Sequence, residues 1–166
     1  MARQFRRSRG GVEMRFDAGE VELVKQLVDD LVRRLGAVDD VEPVADPVLR
    51  RLFPDGYADD PNAAAELRSL IQDDLRDGKR ASARLVLETL AELPPSGRLR
   101  LDGDQAKAWL GTLNDLRLTL GTALDVSEDT ELQEQAGDEA AAFALGIYGF
   151  LGWMQECLVE SLLDWD

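Results

Sequence analysis

The chain contains no histidine and a single cysteine, Cys157. The first absence removes the side chain that titrates near neutral pH and the commonest metal ligand. The second rules out a disulfide within the chain. Lysine is scarce as well, three residues against sixteen arginines. Chemistry would therefore fall to carboxylates, guanidiniums and hydroxyls. No glycine-rich phosphate loop follows a candidate strand, and no serine has a visible base. The acid pairs Asp29-Asp30, Asp39-Asp40, Asp59-Asp60 and Asp73-Asp74 match no calcium loop and read as solvated faces and helix caps. This inventory argues against an enzyme, a metal site and a bound cofactor.

Long apolar runs are also missing. The longest uncharged stretch, 140–155, is shorter than the roughly 20 residues that span a bilayer. No apolar segment follows the arginine-rich start, as an export signal requires. A cytoplasmic protein without a membrane partner is the expectation.

What is present is a core. A hydrophobic content of 45% in 166 residues suits one ordinary domain, 1–166. The net charge of −14 is unevenly placed: residues 1–15 carry a balance of +4 and the remainder −18. An acidic body repels phosphate, so direct binding to duplex DNA is not expected. The basic arm, with Arg3, Arg6, Arg7 and Arg9, should instead meet an acidic protein surface or the chain's own acidic helices.

The local patterns predict a mainly α, α+β fold: a bundle of about five or six helices with an N-terminal β-hairpin and a possible third strand. Gly10-Gly11 would turn the hairpin and pair Phe5 with Phe16 and Arg7 with Met14. Apolar spacing marks a helix over 20–35. Asp46-Pro47 and Asp60-Pro61 read as helix starts, and Asp77-Gly78 as a turn between helices 61–75 and 79–93. Residues 98–101 alternate like a strand. Asp102 with Gln105 forms a capping-box signature for a helix running to Leu124. After a polar loop, a helix from Asp138 to about Leu163 is apolar almost all round. Its core side would hold Phe143, Ile147, Phe150, Met154, Cys157 and Leu158.

Two constellations are candidates for function. Arg117 falls in the apolar sector of the 104–124 helix, between Leu113 and Leu120. It either makes an internal ion pair with Glu156 or Glu160, or joins Asn114 in a polar pocket for an anion or a partner's carboxylate. On the last helix Gly146, Gly149 and Gly152 recur every three residues beside Trp153. That side forms a homodimer or partner surface, or packs on the chain's own helices. Cys157 projects to the apolar side and reads as a buried, inert thiol.

Five stretches carry a resemblance: FRRSRGGVEMRFDAGE, ADPVLRRLFPDGY, DDLRDGKRASARLVLETL, AWLGTLNDLRLTLGTAL and YGFLGWMQECLVESLL. Together they resemble an actinobacterial family catalogued as a domain of unknown function and encoded near the Clp protease adaptor and sulfur-assimilation genes. Some members are described as oxidative-stress transcriptional regulators that act with an alternative sigma factor. The resemblance implies a non-enzymatic regulator working through protein–protein interaction, with a sigma factor or other transcription component as partner. A homo-oligomeric structural protein or a proteolysis-linked adaptor is the rival. The family's switch is an intrachain disulfide, from which this chain departs because Cys157 has no second thiol.

Overall fold

A computed structural model describes residues 5–36, 61–123 and 139–163. Among these, strands β1 (Arg6–Ser8) and β2 (Gly11–Arg15) lead into helices α1 (Ala18–Gly36) and α2 (Pro61–Ala91). Strand β3 (Arg98–Leu101) and helices α3 (Gly103–Ala123) and α4 (Glu139–Leu163) follow. The strands form one antiparallel sheet in the order β1-β2-β3, so 98–101 is a strand against the hairpin.

The hairpin register differs from the expected one. Arg7 pairs with Val12 and Ser8 with Gly11, leaving Arg9-Gly10 as the turn. Gly10 takes φ +83°, a left-handed value that glycine adopts without strain. Gly11 is drawn into β2, where a Cβ would collide with the Leu101 carbonyl oxygen. The slip moves every pairing by two residues and therefore keeps each side chain on its expected face. Val12, Met14, Phe16, Leu99 and Leu101 are buried on the inner side.

Helix α1 starts on a reciprocal cap. The Glu20 amide donates to Asp17 Oδ1 at 2.8 Å and the Asp17 amide donates to Glu20 Oε1 at 3.0 Å. The same box opens α3, with Gln105 N to Asp102 Oδ1 at 2.8 Å and Asp102 N to Gln105 Oε1 at 2.9 Å. Val24, Val28, Leu31 and Leu35 form the buried stripe of α1. Segments 61–75 and 79–93, expected as two helices, are one helix of 31 residues ending at Ala91. An interior glycine costs only about 1 kcal/mol against alanine. Packing of α2 on α1 and α3 offsets that cost at the exposed Gly78. This fusion accounts for four helices among the described residues where more were expected. The expected short helix after Asp46-Pro47 and the loop before Asp138 lie outside the described residues.

Helix α3 is the hub, packed against α1, α2, α4 and the sheet. Trp109, at 0% exposure, sits at the centre. Its ring meets Phe5 edge-on at 6.0 Å and stacks on Phe16 at 5.8 Å. Its Nε1 donates to Thr89 Oγ1 at 2.9 Å, and that hydroxyl donates to the Val86 carbonyl at 2.7 Å. The only polar atom of the indole is thus satisfied inside the core.

Helix α4 packs against α3, β1 and β2 through Leu151, Met154 and Leu158. It was expected to be buried on most sides, with Phe143 inward. Instead Phe143 is 69% exposed. Helical phase gives the direction of a side chain but not whether a neighbour stands at its height. Residues 142–163 are long and apolar enough to cross a membrane by length and composition, although Glu156 and Glu160 interrupt them.

Candidate functional site

Two features of α4 define the site: the seam it makes with α3 and the side it leaves uncovered. In the seam, Arg117 Nη1 donates to Gln155 Oε1 at 2.7 Å, and Gln155 Nε2 donates to Asn114 Oδ1 at 3.3 Å. The guanidinium carbon lies 5.3 Å from the centroid of the Tyr148 ring. It also rests on Gly152, where a Cβ would come 3.4 Å from Arg117 Nε. That Nε is buried and has no hydrogen-bond partner among the described residues. Arg117 and Asn114 are therefore brought together as neighbours across Gln155. Glu156 is not part of this chain of bonds; it is exposed on the next position round the helix. Among the described residues no carboxylate forms an ion pair with Arg117. Its charge is met by an amide and an aromatic face.

The three glycines do not share one face. Each step of three residues turns the helix back by about 60°. Gly152 accordingly points at Arg117, while a Cβ at Gly146 or Gly149 would meet nothing within 4 Å among the described residues. Beside these two open positions stand Trp153, 38% exposed, and Phe150, whose ring stacks on it at 6.2 Å. Phe143 continues this apolar surface toward the start of the helix and Glu156 and Glu160 bound it at the other end.

Cys157 follows Trp153 by one helical turn at the inner edge of this surface and is 8% exposed, in the core cluster. Burial, and then the charges of Glu160 and Glu156, push its thiol pKa up, away from the reactive thiolate. No group of metal-binding side chains is present among the described residues.

A further polar pair was not anticipated from the sequence. Lys79 of α2 donates from Nζ to Asp115 Oδ1 of α3 at 2.7 Å. Asp115 is 4% exposed, and burial raises its pKa while Lys79 opposes the rise. The partners lie 36 residues apart, so no local pattern links them. Of the basic arm, Arg3 lies outside the described residues, Arg7 and Arg9 are exposed near the turn, and Arg6 bonds Glu13 at 2.7 Å.

These features describe a small α+β bundle with a finished interior and an apolar helix face open to solvent. The chain belongs to the family described as a domain of unknown function, DUF2017, whose profile matches residues 2–162. It is similar to the oxidative stress regulator AosR of Mycobacterium tuberculosis (strain ATCC 25618 / H37Rv), 37% identical over 131 residues. That match covers 71% of this chain and 59% of the relative, so the chain spans less than two thirds of that protein. A relative in Mycobacterium leprae (strain TN), which also carries the AosR name, is 34% identical over 174 aligned positions. Those cover 87% of this chain and 79% of the relative. No solved structure matches the chain.

Proposed function

We propose that the chain is a non-enzymatic regulator that acts by binding another protein, a component of the transcription machinery in a stress response, in the cytoplasm. The names of its relatives, regulators and not enzymes, support the regulatory part. The observation that carries the binding part is the uncovered side of α4, where Phe150 and Trp153 stack on each other at 6.2 Å beside the open Gly146 and Gly149. Tryptophan is among the residues that most often anchor protein interfaces. With one cysteine, any oxidative signal reaches this chain by a route other than an intrachain disulfide.

A photo-crosslinking amino acid in place of Trp153, in cells under peroxide stress, tests the reading. Crosslinks to a transcription component are expected. No crosslink to another protein would overturn it. The rival, a homo-oligomer or a proteolysis-linked adaptor, draws on the same open glycines. It predicts crosslinks between copies of the chain, or to a protease component, and a dimer that Gly149→Leu converts to monomer in sedimentation. Among the described residues a Cβ at position 149 has nothing within 4 Å beyond its own helical turn, so the substitution starts into open space, and an unchanged melting temperature separates an interface effect from a folding one.

A further inference from the structure

The solvent side of the sheet is arginine-rich, with Arg6, Arg15, Arg98 and Arg100 around the carboxylate of Glu13. Register sets Glu13 between Arg6 and Arg100, and Arg15 directly opposite Arg98. Glu13 is 8% exposed beneath two guanidiniums, with Arg6 Nη2 at 2.7 Å from Oε1 and Arg100 Nε at 3.6 Å from Oε2. One carboxylate therefore pairs with Arg6 and Arg100 and also feels the charge of Arg98. Arg15 and Arg98 are exposed and form no ion pair among the described residues.

Like charges directly opposite each other on neighbouring strands are destabilising. The cost here falls on a chain whose net charge is −14, where acidic residues are in large excess. Neighbouring strands lie about 4.8 Å apart and alternate residues along a strand about 6.8 Å. Arg15, Arg98 and Arg100 thus form a compact cationic corner. The carboxylate of Glu13, its pKa lowered by the Arg6 hydrogen bond and by the charges of Arg6 and Arg98, offsets only part of this corner, where the arginines outnumber it.

We infer that the outer face of the sheet docks an extended acidic segment of a protein partner, with its carboxylates seated on Arg15, Arg98 and Arg100. This rests on the protein-partner reading above and adds a second surface and its chemistry. Guanidinium forks take carboxylates in bidentate fashion. Carboxylates at alternate positions of an extended peptide repeat about every 6.8 Å, the spacing of the arginine rows. Glu13 puts a negative charge in the middle of the face. A peptide can set a neutral residue over it, whereas a continuous row of phosphates cannot. The acidic remainder of the chain further disfavours a duplex.

Fluorescence anisotropy on the full chain tests this, using a labelled peptide of alternating glutamate and threonine and, in parallel, a labelled duplex DNA. Saturable peptide binding is expected, with affinity lost by about tenfold or more in Arg15→Thr/Arg98→Thr. That double variant should melt at the same or a higher temperature, since it relieves the like-charge pair. Arg15→Gln/Arg98→Gln should behave the same way, which guards against an effect of threonine itself. Absent peptide binding, binding unchanged in both variants, a lower melting temperature in both, or tighter binding of the duplex would each overturn the assignment. Failure here leaves a crosslink from position 153 standing, and failure of that crosslink leaves the peptide titration readable.

Discussion

Trp109 and Trp153 occupy opposite situations in the same small fold. Trp109 is wholly buried, bonded through Nε1 to Thr89 and packed against Phe5 and Phe16. Trp153 is 38% exposed and stacks on Phe150, on a side of α4 that faces solvent. The two flanks of α3 repeat the contrast. Toward α2 a buried carboxylate meets an ammonium, Asp115 with Lys79. Toward α4 a guanidinium is held by Gln155 and the Tyr148 ring, without a carboxylate among the described residues. The interior is built by the sheet and by one side of each helix, α4 giving it Leu151, Met154 and Leu158. Helix α4 closes one side of that core and keeps its outer face apolar.

The largest effect should come from the closed half. Trp109→Ala is expected to cost about 4 kcal/mol in denaturant melts, the range for emptying a large core site. Next comes Lys79→Met, which strands Asp115 in the core. A broken buried pair costs about 3–5 kcal/mol, and Lys79 keeps part of its side chain in solvent, so about 2 kcal/mol is expected near neutral pH. The folded-state pKa of Asp115 is raised, so the folded chain holds that proton more tightly than the unfolded one. Its contribution is greatest below the ordinary aspartate range and is lost as pH rises through the raised value. The cost of Lys79→Met should therefore shrink in mildly acidic buffer and grow toward neutrality, which melts at the two pH values would show. Arg117→Leu should cost about 1 kcal/mol, because it leaves a neutral amide and no buried carboxylate behind. A loss of about 3 kcal/mol would restore the ion-pair alternative and close the difference between the flanks.

Much of this was legible because local rules agreed with the fold. The alternation around Gly10 and over 98–101 marked all three strands. The capping box at Asp102 and Gln105 marked the start of α3, and Asp17-Ala-Gly-Glu20 carries the same signature for α1, which a search for that spacing would have found. Asp77-Gly78 misled because packing outweighs one weak helix former. Arg117 could be placed on the right face from sequence, yet its partner could not. Gln155 and Glu156 differ by about 100° on α4, and only the crossing of two helices decides which of them meets α3. Lys79 with Asp115, and Arg15 opposite Arg98, are tertiary pairings without a local trace. Phe143 had the right phase for the core and is nonetheless 69% exposed, because phase does not say where the neighbouring elements end.

Trp153→Ala tests the division between the two halves most directly, with stability and partner capture measured on the same preparation. Its melting free energy should stay within about 0.5 kcal/mol of the parent, as for ordinary surface substitutions. Capture of the stress-dependent partner should be lost. A large loss of stability would show that Trp153 belongs to the core, and a partner captured undiminished would show that the open face of α4 is not where this protein binds.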